Sequence, residues 1–172
     1  PGPNCPEKGA STGKKTSPTG LVVSLGATGA QGSFTMTDTN RELIQKWADL
    51  WSGTSKADFL GIFSEATVYE DKAARLTMRG RPELGDFFDL IRKALPDFKV
   101  ISDLISLGEH GGTIQWHMTG THEGELFGHG ASHKTINVDG CCVIRIKDGE
   151  IVKSTDYYDM KTLYRQLGFD KN

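Results

Sequence analysis

The chain has 172 residues, a formal net charge of −2 and 37% hydrophobic residues, enough for one domain with a substantial core. No basic block is present, so nucleic acid is not an expected partner. No apolar run approaches the roughly 20 residues that cross a bilayer, so no membrane span is expected.

Residues 1–35 hold four of the six prolines and seven glycines, with no sustained periodicity. They are expected to form a flexible extension, dispensable for folding, ahead of a domain over 36–172. The apolar piece Leu21–Leu25 follows Lys14-Lys15 but is too short and interrupted for a targeting core. Met36 is expected to mark the start of the folded part.

From Thr39 the sequence fits a capping box with Glu42, and Leu43, Ile44, Trp47, Leu50 and Trp51 recur at helical spacing. A second short helix from Ser55 is expected to bury Phe59, Ile62 and Phe63. Ala66–Asp71 reads as a strand. Pro82 opens a third helix lined by Leu84, Phe87, Phe88, Ile91 and Leu95, and Pro96 stops it. Strands follow over 98–107, 113–122 and 132–147, the last with an expected bulge at Asp139-Gly140. Asp148-Gly149 supplies a positive-φ turn into a final strand through Tyr158, and a short helix closes the chain. The order implies an α+β fold: a cone-shaped, curved antiparallel sheet packed on three to four helices.

Such a cone leaves a concave, apolar cavity suited to a small hydrophobic molecule. Side chains alternate along a strand, so Ile114, Trp116, Met118 and His122 share one face, expected to point inward. Asp156 falls on one side with Val152, Ser154 and Tyr158. A carboxylate aimed at an apolar interior is costly, which makes Asp156 the first residue to suspect as a base. The alternative is an Asp satisfied by backbone or by a neighbouring Lys or Arg. His122 is a donor to a developing enolate oxygen, or a satisfied structural histidine. Tyr69, Tyr157 and Tyr158 are candidate donors to a carbonyl.

The five histidines lie between positions 110 and 133 without a recognisable ligand set, so no metal site is expected. Of the three cysteines, Cys5, Cys141 and Cys142, the last two are adjacent and would point to opposite faces of a strand. They form no disulfide or zinc pattern, and a reducing, cytoplasmic setting is expected. Cys142 reads as a buried apolar thiol rather than a nucleophile.

Four segments carry a resemblance over Met36–Gly168: Thr67-Val68-Tyr69-Glu70-Asp71; Gly80-Arg81-Pro82; Gly120-Thr121-His122-Glu123-Gly124-Glu125-Leu126-Phe127-Gly128; and Asp148-Gly149-Glu150-Ile151 through Asp156 and Asp159 to Arg165-Gln166-Leu167-Gly168. In their order and spacing the chain resembles the SnoaL-like polyketide cyclases, within the nuclear transport factor 2-like and ketosteroid isomerase-like fold. The resemblance implies a homodimer, an open cavity and no cofactor. It implies that Asp156 is the general base of an intramolecular aldol closure, with His122 in the cyclases' Gly-x-His-x-Gly segment. Cys142 stands where the cyclases place another histidine. Ala66–Asp71 is similar, with one extra residue, to the segment that carries the isomerases' base at the end of the first strand, which makes Asp71 a second candidate; their donor Asp has no clean counterpart, Asp139 being out of register.

The expected site thus comprises Asp156, His122 and Asp71 as catalytic groups, with Trp116, Tyr69, Met118, Cys142, Tyr158, Trp51 and Phe63 around the substrate. The expected activity is cofactor-independent cyclisation or isomerisation of a hydrophobic carbonyl compound. Epoxide opening, or a non-catalytic binding or dimerisation module of the same fold, is the alternative.

Overall fold

The computed structural model describes residues 36–170; the expected extension over 1–35 lies outside them. The elements, in order, are α1 (Met36–Trp51), α2 (Lys56–Leu60), β1 (Phe63–Asp71), β2 (Leu76–Arg79), α3 (Gly80–Ala94), β3 (Lys99–Gly108), β4 (Gly111–Thr121), β5 (Thr135–Lys147), β6 (Glu150–Tyr158) and α4 (Met160–Leu167). The strands form one six-stranded curved sheet in the order β2-β1-β6-β5-β4-β3. Four of its pairings are antiparallel, as expected. The fifth, β1 with β6, is parallel, so the sheet is mixed. The last strand therefore lies in the middle of the sheet, between the first strand and the meander.

Helix α1 begins one turn before the expected cap, so Thr39 lies within it, and Asp38 sits in the first turn near the positive end of the helix dipole. Its residues Ile44, Trp47, Ala48 and Trp51, spaced 3-1-3, are all buried. The helix packs on β3 and β4, α3 packs on β1, and α4 on β5. In α2, Ser55 caps as expected by accepting the Asp58 N–H. Phe63 opens β1 instead of extending that helix, yet it is fully buried against the rings of Phe59 and Tyr69.

Irregularities bend the sheet. Between Phe63 and Val68 the β1–β6 register shifts, and the Phe63 carbonyl is taken up by the Arg81 guanidinium, whose Nε lies 2.8 Å away. Arg81 also binds Glu65 at 2.6 Å and Glu150 at 3.3 Å, tying the start of α3 to β1 and β6. A second shift falls between Arg145 and Ile146, where Val152 of β6 is left without a partner. That extra residue resets the alternation: Ile151 and Ser154 are both fully buried, three positions apart. Val152 is therefore out of phase with Asp156, contrary to the simple period-two expectation. The bulge expected at Asp139-Gly140 is absent, because β4 and β5 stay in register from Gly111↔Arg145 to Thr121↔Thr135. Gly140 has a different use. Trp116 is its cross-strand partner and lies over it, and a Cβ at 140 would come within 2.4 Å of the indole.

Candidate functional site

The concave face of the sheet and the helices enclose a cavity. Its walls come from Trp47 and Trp51 of α1, Phe87 and Ile91 of α3, Trp116 and Met118 of β4, and Leu163 of α4. The segment between β4 and β5 adds Leu126 and Phe127. At one side stand Tyr69 and Asp71 of β1 beside Asp156 and Tyr158 of β6. The empty space is about 540 Å³ including the mouth. It is a slot between apolar side chains rather than a wide chamber.

The polar side of the slot follows from the parallel pairing. Asp71 and Asp156 are Cα partners across β1 and β6, so their side chains leave the sheet side by side on its inner face. Both are buried, at 4% and 8% exposure. Each is held by the tyrosine two residues along the neighbouring strand's register. The Tyr69 hydroxyl donates to Asp156 Oδ2, and the Tyr158 hydroxyl donates to Asp71 Oδ2 at 2.8 Å. Asp71 Oδ1 also accepts the Ala74 N–H at 2.8 Å, which fixes the β1–β2 turn. Asp156 Oδ1 is buried and has no hydrogen-bond partner.

Burial pushes the Asp156 carboxyl up to about 7; the Tyr69 hydroxyl opposes this, and the charge of Asp71 adds to it. Burial also raises Asp71, against the pull of the Ala74 N–H and the Tyr158 hydroxyl. The two tyrosines are themselves raised, first by burial and then by the adjacent carboxylates, so they remain donors. A carboxyl raised to about 7 in an apolar slot, as Asp156 is, has the proton affinity that a base for carbon acids requires.

Of the expected residues, Asp156, Asp71, Tyr69, Tyr158, Trp51, Trp116 and Met118 line the slot. Three do not. Phe63 lies behind it in the core. Cys142 is the Cα partner of Asp156 across β5–β6 and is fully buried beneath it. Its thiol lies close enough to lower the Asp156 carboxyl against the effect of burial, and it also approaches the Val143 carbonyl at 3.8 Å. Burial and the Asp156 charge push the thiol well up, so it stays protonated. His122 points inward as expected, but past the end of β4 and outside the slot. Its Nδ1 accepts the Ser132 N–H at 3.0 Å and lies 3.0 Å from Ser132 Oγ, and its ring meets the edge of Phe169. It pins the β4–β5 segment that carries Leu126 and Phe127, and burial lowers its proton affinity. Tyr157 faces the opposite side of the sheet and is 46% exposed.

Trp47 and Phe87, read from periodicity as core, are wall residues. Trp47 stands one turn from Trp51 on the same helical face, which was a usable signal. Leu126 and Phe127 lie in an irregular segment that offers none. The indole N–H groups of Trp47, Trp51 and Trp116 are buried without partners. Among the described residues, no group of three or more His, Cys, Asp or Glu is arranged to hold a metal ion. No described helix is long and apolar enough to cross a membrane.

Solved structures match this architecture at low identity. A candidate SnoaL-like polyketide cyclase from Jannaschia superposes with a TM-score of 0.73 at 12% identity, over 83% of this chain and 100% of its own. AclR, a candidate hydroxylase from Streptomyces galilaeus, gives 0.69 at 18%, over 79% and 89%. A protein of ketosteroid isomerase-like fold from Catenulispora acidiphila, solved in complex with trimethylamine, gives 0.67 at 22%, over 75% and 94%. These likenesses establish the fold. No curated protein matches. The sequence profile of the SnoaL-like polyketide cyclases matches residues 41–167, and on that span the chain belongs to the SnoaL-like polyketide cyclase family.

Proposed function

We propose that the protein is a small acid–base enzyme acting on an apolar carbonyl compound, with Asp156 as the base. The observation that carries this reading is the Asp156 carboxyl itself: buried in an apolar slot, tied down at one oxygen by Tyr69, unpartnered at the other, and raised to about 7. Oδ1 takes a proton from the carbon beside a carbonyl, and the C–H electron pair moves onto the carbonyl oxygen as an enolate. In a cyclisation the enolate carbon then attacks a second carbonyl of the same molecule, and the proton returns from Asp156 to the new alkoxide. In an isomerisation it returns to a different carbon. Neither path consumes or supplies electrons.

The test does not need the natural substrate. Small cyclic ketones and 1,3-diketones are incubated with the protein in D₂O, and α-proton loss is followed by NMR. Exchange should fall by roughly 10²–10⁴-fold in Asp156→Asn, the usual contribution of a positioned base. Exchange at the wild-type rate in a folded Asp156→Asn protein would move the base elsewhere or remove the chemistry.

A second reading is a pocket without chemistry. It is favoured by the narrowness of the slot and by the Catenulispora neighbour, whose bound trimethylamine carries no carbonyl. Absence of exchange in the wild-type protein, with binding retained, would select it.

A further inference from the structure

The slot is anionic without a counterion. Two carboxylates enter it side by side, and no Lys, Arg or His is among the described residues that line it. Their donors are all neutral: the two tyrosine hydroxyls, the Ala74 N–H at Asp71 and the Cys142 thiol beneath Asp156, whose Oδ1 has no hydrogen bond of ordinary geometry. Elsewhere on the same two strands the chain neutralises its acids. Glu70, next to Asp71 but on the other face, holds Lys72 and Lys153 at 2.8 Å each. Among the described residues, Asp71 and Asp156 thus have no cationic partner, at a place where apolar surroundings make one most valuable.

The remaining walls suit a cation as well. Eight aromatic side chains border the slot, among them all three tryptophans of the chain. Aromatic faces attract ammonium groups, most strongly when water is excluded.

We propose that the slot takes a protonated amine of apolar shape, whose ammonium group supplies the countercharge that Asp71 and Asp156 lack. Its N–H groups satisfy Oδ1 of Asp156, and its alkyl or aryl body fills the aromatic walls. The inference concerns the ligand's class and holds whether or not proton transfer follows binding.

The probes are three molecules of one shape and different charge: tert-butylammonium, tert-butanol and pivalate. Binding to the full chain is measured at pH 8 by tryptophan fluorescence, which reports on the slot because every tryptophan borders it. The ammonium is expected to bind at least tenfold more tightly than the alcohol, and pivalate more weakly than the alcohol. In the double variant Asp71→Asn/Asp156→Asn, the preference for the ammonium should fall to within about twofold while the alcohol still binds, which shows that the slot is intact. Equal affinity of the wild-type protein for ammonium and alcohol would overturn the proposal, and so would a preference that survives in the double variant. A protein that exchanges ketone α-protons but shows no ammonium preference overturns this inference alone. One that prefers the ammonium but exchanges nothing overturns only the acid–base reading.

Discussion

Strands β1 and β6 present two faces built from consecutive residues and opposite electrostatics. On the outer face, Glu70 is flanked by Lys153, Lys72 and Thr155, and the lysines hold its carboxyl down to about 2. One residue on, Asp71 turns inward beside Asp156, where burial and like charge push Asp156 up to about 7. Composition, strand and register are shared; only the direction of the side chain differs. The outer acid has its charge neutralised by stabilising contacts, whereas the surroundings of the inner pair favour keeping a proton. Acids kept in that condition are the ones available to a ligand.

The contrast is sharpest in pH dependence. The folded-state value of Asp156 lies above its ordinary 3.8, so the folded protein holds a proton that the unfolded chain releases. Its contribution to stability is full below pH 4 and is lost as pH rises to about 7. The span corresponds to about 4 kcal/mol, as an upper figure. Urea unfolding of wild type and Asp156→Asn across pH 4–8 should converge near pH 4 and separate in favour of the variant at pH 8. A constant difference across the range would mean that Asp156 titrates normally.

Tyr158→Phe removes the hydroxyl that donates to Asp71 and should destabilise by roughly 1.5–3 kcal/mol above pH 7, the cost of losing a bond to a charged group. Its loss should shrink at low pH, once Asp71 is protonated; an equal loss at all pH values would mean that the bond does not depend on the charge of Asp71. Gly140→Ala places a methyl group against the Trp116 indole and should cost about 1–3 kcal/mol by overpacking. A neutral Gly140→Ala, by thermal melting, would show that Trp116 moves freely and that the slot is wider than drawn. Smallest is Glu70→Gln, below about 1 kcal/mol at pH 7, because its ion pairs lie on the outer, solvated face. The folded value of Glu70 is depressed, so its stabilisation is present above about pH 4.5 and disappears as pH falls toward 2; a large effect at pH 7 would put Glu70 in a buried interface.

Much of this was legible in the residues. Helical spacing located Trp47 and Trp51, and the Asp-Gly turn followed by one strand located Asp156. Period two placed Trp116 and Met118 inward. The rest depended on pairings that local patterns do not encode. That β1 runs parallel to β6, and so sets Asp71 against Asp156, rests on contacts 85 residues apart. Val152 was misplaced because a bulge inserts one residue and inverts the alternation. Gly140 looked like a bulge because a strand glycine commonly marks one, whereas here the space belongs to the facing indole. His122 pointed inward as parity required, but parity does not say where along the cone the cavity ends.

The central position of β6 bears on how the protein is made. A growing chain can assemble the β1–β2 hairpin and the β3–β4–β5 meander before β6 emerges, yet nothing in the sheet joins these halves until it does. Through that interval the nascent polypeptide displays two open strand edges, on β1 and β5, that invite pairing with other chains. Insertion of the last strand seals both edges in one event and brings the two acids together in the same motion. A chain cut short anywhere before residue 150 lacks β6, and so has neither the paired acids nor a cover for the edges of β1 and β5.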